Sequence, residues 1–132
     1  MSRTRYATPA AAEAAFYAAF SKGDLGEMMQ VWAFDDDIAC VHPMSTRLQG
    51  REAIARSWQH IFSNNPRLHF DVQDAQRFAG ETVAVHLVHE HIHLANSPPS
   101  PPVVATNVYR LIDGSWHMVL HHASPTPAAT PK

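Results

Sequence analysis

The hydrophobic period of this chain changes once, near Asn64-Asn65-Pro66. Before that point apolar residues recur at three-and-four spacing, the repeat of an amphipathic helix. After it they alternate, the repeat of a strand with one buried face. Three helices followed by a run of long strands is an α+β pattern. The first helix opens at Thr8-Pro9, carries the stripe Ala12, Ala15, Phe16, Ala19 and Phe20, and stops at Gly23. The second starts at Asp24, with Glu27 placed to complete a capping box, and buries Leu25, Met28, Met29 and Trp32. The third begins at Gly50 and turns Ile54, Trp58, Ile61 and Phe62 inward. Four strands are expected over 67–78, 82–94, 103–112 and 115–123, joined at Ala79-Gly80 and Asp113-Gly114. The proline-rich stretch from Asn96 to Pro102 forms an exposed hairpin tip. Three helices packed on a strongly curved mixed or antiparallel sheet would make a cone-shaped half-barrel. That domain takes up residues 1–124, and a disordered tail (SPTPAATPK) begins at Ser124 or the residue after it.

Length and charge exclude several functions. A chain of 132 residues supports one domain with a real core. Ten basic against 12 acidic residues, with no basic stripe, point away from nucleic acid. No segment approaches a membrane span, and the N-terminus lacks the apolar core of a signal peptide, so a cytoplasmic location is expected. The lone cysteine, Cys40, fits a reducing compartment.

The candidate chemistry starts at Ile38-Ala39-Cys40-Val41-His42-Pro43. Alternation puts Ile38, Cys40 and His42 on one face, and Pro43 ends the strand, so His42 sits at a strand mouth. An imidazole there suits a general base and equally suits a satisfied core histidine. His89, His91 and His93 are alternate residues of one strand and share a face. Packing on an outer sheet face is preferred for them over a zinc site, since no cysteine pair accompanies them. Asp35-Asp36-Asp37 lacks the spacing of a calcium loop. No metal and no cofactor is therefore expected. His121 and His122 point to opposite faces, and His121 is favoured inward.

GDLGEMMQVWAFDDDIACVHP, GREAIARSW, VVATNVYR and GSWHMVLHHASP together resemble the nuclear-transport-factor-2-like superfamily, in its SnoaL-like branch. The resemblance runs from about Ala12 to Pro125. It implies a cone of curved sheet behind three helices and a homodimer through the outer sheet face. It does not imply one function, because the fold hosts isomerases, dehydratases, cyclases and non-enzymatic binding domains. Compared with the ketosteroid isomerase members, His42 stands where their catalytic aspartate precedes a proline. Phe16 stands at their oxyanion tyrosine, Asn107 at their protonated aspartate, and Trp58 at a supporting tyrosine. The same register puts Ala105, Asn107 and Tyr109 inward, with His86, Val88, Glu90 and Ile92 on the preceding strand. His86 or Glu90 would then orient His42.

The resemblance and the residues lead to two expectations. One is an acid-base enzyme on an apolar oxygenated substrate, of isomerase, dehydratase or cyclase type. His42 is its base and Asn107 its polarising donor, and Phe16, Trp32, Trp58, His86, Glu90, Tyr109 and His121 line the ligand site. The other is a non-catalytic ligand-binding or dimerisation module with a degenerate pocket. The row Val83, Val85, Leu87, His89, His91 and His93 is expected to carry the homodimer, which acid should weaken below about pH 6.

Overall fold

The computed structural model describes residues 4–64, 69–93 and 101–127. Helix α1 spans Pro9–Lys22, α2 Leu25–Val31 and α3 Arg51–Asn64. The strands are β1 (Ala39–Val41), β2 (Arg47–Gln49), β3 (His69–Ala79), β4 (Val83–His93), β5 (Val103–Ile112) and β6 (Ser115–Pro125). They form one open six-stranded sheet in the order β2-β1-β6-β5-β4-β3. All neighbours are antiparallel except β1 and β6, which run parallel, so the sheet is mixed. Most of the proline-rich tip, residues 94–100, and the end of the tail, 128–132, lie outside the described residues.

Local chemistry fixes the helix ends. Thr8 Oγ1 accepts from the Ala11 N–H, Pro9 occupies the first turn, and Gly23 closes α1 in the left-handed region at φ 70°. Asp24 Oδ1 accepts from the Glu27 N–H at the start of α2. The acidic turn also caps a helix, because Asp36 Oδ1 accepts from the Arg51 N–H at the start of α3. The β5–β6 turn has Asp113 and Gly114 both at positive φ (51° and 79°), the conformation that suits a two-residue hairpin.

Two strand ends differ from expectation. Strand β6 runs past Ala123, since Ser124 pairs with Val104 and Pro125 with Val103, so the tail does not begin at Ser124. Pro125 is tolerated there as the last residue of its strand. Strand β1 is only three residues long and ends before His42.

Helices and sheet enclose one apolar core. Phe16, Met28, Trp32, Ile54, Trp58, Ala105, Tyr109 and Met118 are fully buried in it. Arg51 ties α2 to α3. Its guanidinium donates to the carbonyls of Met29 (2.9 Å), Ala33 (2.8 Å) and Trp32 (3.3 Å) and lies 4.3 Å from the centre of the Phe34 ring. A cation there satisfies carbonyls that a helix C-terminus leaves open. Arg51→Ala is expected to destabilise the fold by about 2 kcal/mol, the scale of charge-assisted hydrogen bonds left unmade. A urea midpoint that falls with an unchanged slope is the expected measurement.

Candidate functional site

The face of the sheet turned to the helices carries a buried polar set. On β4, His86, Val88 and Glu90 are buried, while His89 and His91 on the other face are half-buried. On β5, Ala105, Asn107 and Tyr109 are buried. On β6, His121 is 1% exposed and its neighbour His122 is exposed, so His121 is the inward histidine. Cross-strand pairing aligns His121, Asn107 and His86 in one row.

A continuous hydrogen-bonded line crosses this interior. Tyr17 donates its hydroxyl to Glu90 Oε2 at 2.6 Å. Asn107 Nδ2 donates to the Tyr17 oxygen at 2.9 Å, and Asn107 Oδ1 lies 2.6 Å from His121 Nδ1. An amide oxygen only accepts, so His121 carries its proton on Nδ1 in this arrangement. The four residues come from α1, β4, β5 and β6. Burial pushes the Glu90 carboxyl up to about 7, against the lowering effect of its bond from Tyr17. Burial, then the charges of His42 and His122, push His121 down to about 3.

His42 sits at the end of this line, half-buried, its ring centre 6.3 Å from that of His121 and 4.8 Å from that of Trp58. Its Nε2 is 2.9 Å from Ser57 Oγ. Ser57 donates its one hydroxyl proton to the Ile54 carbonyl at 2.7 Å, so it can only accept from His42. Neutral His42 therefore carries its proton on Nε2 and its lone pair on Nδ1. Burial holds its pKa below the usual 6.5, so the ring is neutral at pH 7.

Several sequence expectations change here. Neither His86 nor Glu90 orients His42; Ser57 does, because α3 lies over the end of β1. His86 Nδ1 instead lies 2.8 Å from Glu13 Oε1, and Glu13 Oε2 accepts from Arg77 at 2.7 Å. Asn107 does not face an open space beside His42, since its side chain is engaged by Tyr17 and His121. Phe16, Trp32, Trp58, Asn107 and Tyr109 are all 0% exposed, so no water-sized space touches them. Phe16 packs against Trp58 (5.6 Å) and His121 (5.0 Å) as a wall of this filled interior. Cys40, 3.6 Å from His42 Nε2, is pushed up to about 12 by burial and the Glu90 charge, which leaves it a thiol.

Sequence reading missed Tyr17, Glu13 and Ser57. A signal existed for the first two: Glu13 and Tyr17 are four apart, so they share a stripe next to that of Ala12 and Phe16. The hydroxyl absent at Phe16 is supplied one residue later, by Tyr17.

Among the described residues, surface hollows open elsewhere. One of about 560 Å³ lies at the start of α3, between Asp36, Gly50 and Arg56. One of about 390 Å³ lies between Arg47, Arg110 and Leu120. Among the described residues no three His, Cys, Asp or Glu side chains converge as a metal site requires, and no helix is long and apolar enough to cross a membrane.

Comparison with known proteins places this geometry. A provisionally named calcium/calmodulin-dependent protein kinase type II association domain from Thiobacillus denitrificans is 41% identical. The match covers 94% of this chain and 99% of that one, with a TM-score of 0.90. A provisionally named dehydratase of the NTF2-like family from Streptomyces avermitilis is 31% identical over 89% of this chain and 92% of that one, with a TM-score of 0.80. F-box protein SKIP8 of Arabidopsis thaliana is 26% identical over 100 residues, 76% of this chain. The chain spans only 42% of the length of that curated relative. The family model of the SnoaL-like domain matches residues 10–129. With this coverage and an open α+β fold of three helices on a mixed sheet, the chain belongs to the SnoaL-like domain family, within the NTF2-like superfamily.

Proposed function

We propose that this SnoaL-like domain binds a small apolar, oxygenated ligand at the mouth of its cone and moves a proton on it, with His42 as the base. The observation that carries the reading is the buried line Glu90–Tyr17–Asn107–His121, which ends beside the half-buried ring of His42. A core gains little from four polar side chains that an apolar set would not supply. Perturbed titratable groups gathered on one concave face are the usual mark of acid-base sites.

The chemistry follows from the proton positions. His42 Nδ1 takes a proton from an acidic C–H or O–H of the ligand while Nε2–H stays anchored on Ser57. Asn107 acts through His121, which it orients, rather than as a donor to the ligand. The name of the Streptomyces dehydratase is in keeping with elimination chemistry on this scaffold. Titrating the protein with ketones, hydroxy acids and small lactones, while following the His42 ring resonances, tests the reading. Saturable shifts at His42 are the expected result; silence at His42 with binding elsewhere would end it.

A second reading is a non-catalytic binding or association module. It is favoured by the complete burial of Phe16, Trp58 and Asn107 and by the association domain named in the Thiobacillus relative. Under either reading we propose a homodimer through the outer face of the sheet. Phe78 (53% exposed) and Val83 (43%) stand there with the half-buried Val85, Leu87 and Val108 beside them, neighbouring apolar side chains of the kind that mark an interaction surface. His89 and His93 lie 3.2 Å from Asp74 and Asp71, so those carboxylates reduce the imidazole repulsion expected in acid. Sedimentation at about micromolar concentration should give a dimer, and Val85→Lys should give a folded monomer.

A further inference from the structure

The line Glu90–Tyr17–Asn107–His121 is one-dimensional. Each internal member gives one hydrogen bond and takes one. Among the described residues Tyr17 is the one hydrogen-bond partner of the Glu90 carboxyl. Such a line has only two complete polarities, because reversing any one bond leaves a donor facing a donor or an acceptor facing an acceptor. In the arrangement observed, His121 Nδ1–H donates to Asn107, Asn107 to Tyr17, and Tyr17 to an ionised Glu90. In the reverse arrangement a protonated Glu90 donates through Oε2 to Tyr17 and Tyr17 donates to Asn107 Oδ1. The Asn107 amide is then turned over and donates to a bare His121 Nδ1, so the His121 proton sits on Nε2.

We propose that Glu90 is a positioning residue that sets, through Tyr17 and Asn107, which ring nitrogen of His121 carries the proton. A proton placed on Glu90 Oε1 instead would keep the observed polarity, but it would leave the carboxyl O–H, a far stronger donor than the Tyr17 hydroxyl, out of the 2.6 Å bond between the two residues. Reversal puts the strongest donor into that short bond and keeps the three bonds of the line, at the cost of moving the His121 N–H to Nε2. The balance is simple. The net change is one proton taken up by Glu90, while His121 releases its Nδ1 proton, gains one on Nε2 and stays neutral. Deep burial, which holds the ring neutral down to about pH 3, makes this a change of tautomer and not of charge.

The groups facing Glu90 are Tyr17 from α1, Cys40 from β1 and Tyr109 from β5; those facing His121 are His42 and its strand neighbour His122. Tyr17 and Tyr109 have their hydroxyl pKa pushed up by burial first and then by nearby negative charge, and Cys40 likewise, so none of the three competes for the proton near neutrality. Glu90, raised to about 7, is the group that does. The consequence for the proposed chemistry is a ring packed beside His42 that offers an acceptor at Nε2 in base and a donor there in acid.

The test needs no substrate, so it stands apart from the reading of His42 as a base. In protein labelled with ¹⁵N-histidine, long-range proton–nitrogen spectra identify the protonated nitrogen of each neutral ring. Wild type should show His121 as the Nδ1–H form at about pH 9 and as the Nε2–H form at about pH 5, with one midpoint shared with the ¹³C titration of the Glu90 carboxyl. Tyr17→Phe, which cuts the line, should leave the His121 tautomer the same at both ends. A wild-type tautomer that does not change, or one that changes with a midpoint away from that of Glu90, overturns the proposal. So does a Tyr17→Phe protein that still switches. Where that variant does not fold, the comparison of midpoints in wild type decides alone.

Discussion

Replacing His42 with alanine should lower turnover of a bound substrate about 10²–10⁴-fold, the range usual for loss of a general base. The expectation rests on two features of the ring. Its Nδ1 lone pair is fixed by the Nε2–H bond to Ser57, so the base needs no tautomer change before it acts. Its pKa lies below 6.5 through burial, so activity should persist below that pH and fall only as the solution crosses the lowered value. His42→Ala should remove that acid limb altogether. The fold should survive, because the ring is half-buried and Trp58 retains its contacts with Phe16 (5.6 Å), Phe20 (4.7 Å) and Phe62 (5.7 Å). Ser57→Ala gives a graded control: it keeps the base and frees the ring to adopt either tautomer, so the rate should fall less than in His42→Ala. Steady-state rates against pH for the three proteins decide the matter. Undiminished turnover in His42→Ala would assign the proton transfer to another group.

The parts of this fold legible in the sequence are those set by local rules. The period change, the Thr8-Pro9 start, the Gly23 stop and the Asp113-Gly114 turn each depend on residues within a few positions of one another, and each is present. The inward set of β4 and β5 came from the family resemblance, with alternation extending it along each strand. The site was legible only at its ends. His42 and Asn107 stand out by type and position, but what each touches depends on contacts between distant elements. Ser57 reaches His42 because α3 crosses the end of β1, and no spacing in the sequence encodes that crossing. The parallel pairing of β1 with β6 is of the same kind: Cys40 meets His121 across 80 intervening positions, beyond any local pattern. Tyr17 does not stand out in the sequence because Phe16 fills the stripe beside it, and an α-helix this close to a sheet buries more than one stripe.

Glu90→Gln should make the protein more stable at about pH 8 by roughly 3 kcal/mol, and leave it unchanged at about pH 4. The sign follows from which state holds the proton. The folded-state pKa of Glu90 is raised from 4.5 to about 7, so across that window the folded chain keeps a proton that the unfolded chain has released. Stability therefore falls as pH rises from 4.5 through about 7, and the ionised, buried carboxylate destabilises wild type above it. His121 acts in the opposite sense. Its pKa is depressed from 6.5 to about 3, so the unfolded ring takes a proton that the folded ring refuses, and stability falls as pH drops across that window. Between pH 4.5 and 6.5 the two slopes oppose each other, and wild type should show a plateau. Burial alone would raise the Glu13 carboxyl, but the bonds from His86 and Arg77 outweigh it and hold the pKa low, so Glu13 adds a loss at the acid end in both proteins. Glutamine keeps an oxygen to accept from Tyr17 and removes the charge, so the line Tyr17–Asn107–His121 retains its observed polarity. The variant should lose the plateau and show a continuous rise in stability from about pH 4 to pH 6.5, the His121 slope left unopposed. Urea unfolding across this range measures both curves. A variant no more stable than wild type at about pH 8 would mean that the Glu90 charge is already compensated in the fold, and that the carboxylate is held by more than Tyr17.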